Sequence, residues 1–78
     1  MKSEEEVKKR MKIVEKELLE YIKDKQYYCE LCCNLQKAVI KNGLDAVRNY
    51  EGFICGGVED MKIRLYAIDN KKEEKQND

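Results

Sequence analysis

From Val7 to Val39 the apolar side chains recur at alternating spacings of four and three: Val7, Met11, Val14, Leu18 and Tyr21, then Tyr28, Cys32, Leu35 and Val39. A heptad of this kind lays one narrow apolar stripe along a helix and commits that helix to packing against others. One slot, Lys25, is polar, and Ile13, Ile22, Cys29, Gln36 and Ile40 widen the stripe. Neither glycine nor proline occurs before Gly43. The spacing therefore predicts a single helix over residues 4–41, about 57 Å long at about 1.5 Å per residue. A rival reading breaks it at Lys23-Asp24-Lys25-Gln26, near 24–26, and yields a three-helix bundle. The continuous helix is the expectation, because the heptad phase carries through Lys25 and none of those four residues is a strong breaker.

The ends of the helices are also written in the chain. Ser3 with Glu6 three residues later is a capping box, and Glu4, Glu5 and Glu6 suit the positive end of a helix dipole. Residues 42–45 carry a stop and a restart: Gly43 suits a left-handed closing position, Leu44 the apolar contact after it, and Asp45 the N-cap of the next helix. A second heptad follows in Val47, Ile54, Val58, Met61, Leu65 and Ile68, with Glu51 in the odd slot. It predicts a second helix over 46–69, antiparallel to the first across so short a link. A strand over Met61–Ile68 is set aside, since it has no pairing partner. Residues 1–69 read as one domain and the polar residues 70–78 as a disordered tail.

What the chain lacks narrows its chemistry. It has no His, Thr, Trp or Pro, and Ser3 is its one serine. A histidine base and a Ser–His–Asp system are therefore excluded, and Gly56-Gly57 lacks the Lys-Ser/Thr of a phosphate loop. The expectation is a non-enzymatic protein. Sixteen basic residues balance sixteen acidic ones, so no overall field draws in nucleic acid. The basic run Lys8-Lys9-Arg10 with Lys12 and Lys16 faces Glu4, Glu5 and Glu6 in helical register, which reads as a solvated, ion-paired face. A small nucleic-acid-binding regulator is the weakest of the functional alternatives. No apolar run has the length of a membrane span, and the expected address is the cytoplasm.

If Lys41 and Ala46 meet across the turn, Asp69 falls opposite Leu18 and the first third of helix one stays uncovered. Val7, Met11, Val14 and Leu18 lie there and become the expected interface. Two hairpins covering each other would form a homodimeric four-helix bundle, with a partner protein helix as the rival occupant. Seventy-eight residues with 41% charged side chains bury little apolar surface alone, which points the same way.

The same register sets Cys55 opposite Cys32, with Cys29 and Cys33 on adjacent turns and Gly52, Gly56 and Gly57 flanking Cys55. Glycine costs about 1 kcal/mol in a helix interior, so this trio suggests a close approach of backbones. Tyr27, Tyr28, Tyr50 and Phe53 gather around the same level as core or interface anchors. Three readings of the cysteines stay open. Cys29, Cys32, Cys33 and Cys55 are small buried packing residues; or they hold a soft metal such as zinc; or Cys55 forms a disulfide in a redox-responsive hairpin. Against a four-thiolate site, Cys32 and Cys33 diverge by about 100° on a helix. The chain thus reads as a helical adaptor or regulator acting as a homodimer, with a thiolate metal or redox protein as the alternative.

Overall fold

A computed structural model describes residues 4–74. The fold is all-α, with helices α1 (Glu4–Asp24), α2 (Glu30–Asn42), α3 (Asp45–Arg48) and α4 (Gly56–Glu74), and the described residues contain no strand. No described helix is long and apolar enough to cross a membrane.

The helix expected over 4–41 is two helices, α1 and α2, separated at residues 25–29, where the rival reading breaks it. The cause lies on α2. The Gln36 side-chain amide donates to the carbonyl oxygens of Ile22, Lys23 and Lys25 at 2.9, 3.1 and 2.7 Å. These are the carbonyls a helix end leaves without partners. Once Gln36 holds them, α1 can stop without a glycine and α2 can fold back against it.

The helix expected over 46–69 is also interrupted. After one turn in α3 the chain is non-helical from Asn49 to Cys55, and α4 then continues past Asp69 to Glu74. The Lys62 ammonium, reaching from α4, donates to the carbonyl oxygens of Val47 at 3.3 Å and Tyr50 at 2.9 Å, and the Tyr50 hydroxyl donates to the carbonyl oxygen of Phe53 at 2.8 Å. At the turn, Gly43 takes a positive φ of 79° with ψ −165°, outside the left-handed helical basin, and its N–H donates to the carbonyl oxygen of Val39 at 2.7 Å. Leu44 is buried after it. Asp45 is not the N-cap, which is Leu44; it opens α3 and its carboxylate accepts from Arg48 at 2.8 Å. The capping serine Ser3 lies outside the described residues, as do residues 75–78 of the expected tail, while residues 70–74 are helical.

Despite the interruptions the two heptads build one core. Leu18, Cys32, Leu35, Val39, Val47, Val58, Met61, Leu65 and Ile68 are buried, joined by Ile22 and Leu44. The slots at the interruptions differ: Tyr28 is 88% exposed and Ile54 46%. α4 runs antiparallel to α1. The Tyr21 hydroxyl donates to Asp60 at 3.2 Å, and farther along Arg48 bridges Glu15 at 3.3 Å and Asp69 at 2.8 Å. Arg48 thus ties Asp69 to the level of Glu15, one turn nearer the start of α1 than the Leu18 of the hairpin register. Leu18 is inside the chain's own core and offers a partner no face; Met11 and Val14 are partly buried against that core, and Val7 is half-buried.

Candidate metal centre

Both interruptions end on a cysteine. Cys29 is the N-cap residue of α2, with extended φ −84° and ψ 133°, and Cys55 immediately precedes α4, where its carbonyl oxygen accepts the Glu59 N–H at 2.9 Å. Cys32 follows on the first turn of α2. Its sulfur lies 3.2 Å from that of Cys55, and the Cys29 sulfur lies 3.7 Å from the same atom. All three sulfurs are within 4.8 Å of one another. None is in a disulfide; Cys29 is exposed, Cys55 half-buried and Cys32 buried.

A Cβ would collide with a neighbouring side chain at two of the three glycines, Gly52 within its own loop and Gly57 between helices. A Cβ on Gly57 would collide with the Cys32 sulfur and touch the Tyr27 ring at 3.7 Å, so only glycine lets α4 start this near α2. Gly56 faces open space, and Gly52 lies in the loop beneath the Tyr50 hydroxyl. Gly57 and Cys32 therefore form the contact that brings the two helix starts together.

The electrostatics divide the pair. Cys55 is pulled down from the ordinary 9.0 to about 7, first by the Val58 N–H that donates to its sulfur, then by the Cys32 thiol, with Cys29 and the Gly57 N–H adding to the effect. Burial first, and then the bond to Cys55, push Cys32 up to about 12. Cys55 is thus the more acidic sulfur of the pair and Cys32 the less acidic. Sulfur hydrogen bonds of this kind favour the ionised acceptor.

Cys33 stands apart. Its thiol donates to the carbonyl oxygen of Tyr27 at 3.2 Å, away from the other three sulfurs, as its angle on the helix implies. Of the aromatics expected at this level, Tyr27 is half-buried beside Cys32 and Gly57, and its hydroxyl is buried with no hydrogen-bond partner among the described residues. Tyr50 packs against the core, but Tyr28 and Phe53 are exposed, at 88% and 79%. They are neighbours in sequence of the metal-ligating candidates, not core residues.

Three sulfurs at this spacing suit a thiophilic ion. Two ligands at tetrahedral positions about 2.3 Å from an ion lie about 3.8 Å apart. The 3.2 and 3.7 Å separations are within a small rotamer adjustment of that. Set against protein-family models, curated proteins and solved structures, the chain gives no match.

Proposed function

We propose that this chain is a non-enzymatic, metal-responsive helical module that binds one soft metal ion through Cys29, Cys32 and Cys55. The observation that carries this reading is the convergence of the three sulfurs within 4.8 Å: Cys32 and Cys29 at the start of α2 meet Cys55, 23 and 26 residues further on, at the start of α4. An ion held there cross-links the start of α2 to the start of α4. It would tie the two interruptions to each other as well as to the helices that seal them, and that is how binding would be reported to a partner. Such thiolate chemistry belongs in a reducing compartment, in keeping with a cytoplasmic address.

The test is a titration of the reduced full chain with Cd(II), followed through the sulfur-to-metal charge-transfer band and thermal unfolding. One equivalent is expected to produce the band and raise the unfolding temperature. Cys33→Ser should keep both responses, and Cys29→Ser should weaken them. A flat titration with unchanged unfolding sinks the reading.

A second reading, an interaction module acting as a homodimer, is supported by large apolar side chains open to solvent. Ile13 is 57% exposed, and on α4 Ile63 and Tyr66 are 59% and 69% exposed, one turn apart. Light scattering across a concentration series is expected to give a dimer that Tyr66→Lys weakens; a monomer throughout removes this reading.

A further inference from the structure

We infer that the three-sulfur set is a site for monovalent copper, held three-coordinate by Cys29, Cys32 and Cys55 with no fourth protein ligand. The inference rests on the thiolate reading above and names the ion. Ligand number decides it, because the sulfur spacing alone suits zinc equally well.

Zinc is four-coordinate: a structural site fills all four positions with cysteine or histidine, and a site with three protein ligands adds an oxygen from water. This chain has no histidine, and its remaining cysteine is turned away, with the Cys33 thiol donating to the Tyr27 carbonyl oxygen at 3.2 Å. Cys33 cannot swing inward without turning α2, since Cys32 beside it is buried and wedged against Gly57. No aspartate or glutamate oxygen joins the three sulfurs among the described residues. Monovalent copper carries a single charge, which three thiolates more than satisfy without a fourth ligand, and soft thiolates are ligands it favours.

The surroundings agree with such an ion. Three thiolates around Cu(I) carry two net negative charges, and Cys55 immediately precedes α4, whose first N–H groups, at Gly57 and Val58, favour negative charge on its sulfur. Backbone donors of this kind orient a ligand sulfur and spread its charge. The reaction is ligand exchange with no change of oxidation state. Copper arrives as Cu(I) from a carrier ligand, three Cu–S bonds form, and the thiol protons pass to solvent. One side of the site stays open, since Cys29 is exposed and Cys55 half-buried, so a competing thiol can reach the ion. That arrangement suits an ion that is taken up and handed on.

The experiment is an anaerobic titration of the reduced full chain with Cu(I) held by a competing chelator. Native mass spectrometry and copper-edge X-ray absorption would be run on the product. One copper per single chain is expected, with three sulfur neighbours and no lighter ligand atom, and equimolar Zn(II) should not displace it. Loss of a ligand should cost more than loss of a supporting partner, so Cys29→Ser should weaken binding by more than about 100-fold and Cys33→Ser by less than about threefold. Cys29→Ser carries the test because that residue is exposed and outside the core; circular dichroism of the variant confirms its fold. Displacement by Zn(II), two-coordinate copper, a copper-bridged dimer, or loss of binding in Cys33→Ser would each overturn the inference and leave the thiolate reading standing. Failure to bind Cu(I), Zn(II) and Cd(II) alike would remove both.

Discussion

The chain breaks its helical run twice, and the two breaks are held by different means to the same end. Between α1 and α2 there is no glycine, and the seal is a neutral amide: Gln36 takes three carbonyl oxygens at the end of α1. Between α3 and α4 the seal is a charge, the Lys62 ammonium on the Val47 and Tyr50 carbonyls, lying 5.8 Å over the Tyr50 ring. Gly57 then permits the contact with Cys32 that the first break manages without a glycine. Each break contains the one polar slot of its heptad, Lys25 or Glu51, and each delivers a cysteine to a helix start. An interrupted helix is stable here because a side chain from another element takes over the backbone bonds that the missing turn would have made.

That comparison can be broken most severely at Gly57. Gly57→Val drives two methyl groups toward the Cys32 sulfur, where a single Cβ already collides. Urea unfolding should show a loss of about 3 kcal/mol, the upper range of overpacking, together with weaker Cd(II) binding. Full stability in this variant would mean that the helix starts are not in contact.

Gln36→Ala tests the first seal and should be the next largest effect. It leaves part-buried carbonyl oxygens of α1 without their donor, for a loss of about 2 kcal/mol in the same assay. Lys62→Met keeps the aliphatic stem and removes only the ammonium from the second seal. Lys62 makes two bonds to carbonyl oxygens where Gln36 makes three, and the expected loss is about 1 kcal/mol. If Lys62→Met costs more than Gln36→Ala, the charged seal is the stronger one and the ranking of the two breaks is reversed.

Gly56→Ala sharpens the contrast between adjacent glycines. Gly56 has no positive φ and open space where its Cβ would stand, so alanine should stabilise the protein by about 0.5 kcal/mol. The smallest expected effect is read in pH. Alkylation of Cys55 in the metal-free protein, followed by peptide mass mapping, should rise with a midpoint near 7. Its lowered pKa means the thiolate favours the fold, a contribution present above the ordinary 9.0 and lost as pH falls through about 7. Cys32 has the opposite sign: its thiol form favours the fold below the ordinary 9.0, and that contribution is lost as pH rises through about 12. A Cys55 midpoint near the ordinary value would show that the Val58 N–H does not reach the sulfur.

Much of this was legible in the order of residues, and the rest had one kind of cause. The heptads name nine of the eleven core residues, because a period of four and three marks one face of a helix wherever the helix is later cut. The register that sets Cys55 against Cys32, and the angle that sends Cys33 elsewhere, follow from helix geometry in the same way. Neither break was legible as the preferred reading. Lys25 and Glu51 are ordinary helix residues, and what ends the helices there is a side chain eleven or more residues away. Nor does any local pattern distinguish Gly57, which touches Cys32, from Gly56, which touches nothing. The sequence by itself determined an all-α chain, its apolar face and the neighbourhood of its cysteines, since these depend on spacing along the chain. Tertiary structure alone decided where the helices stop, how closely the sulfurs meet and which of the pair is the more acidic, since each of these depends on groups brought together only by folding.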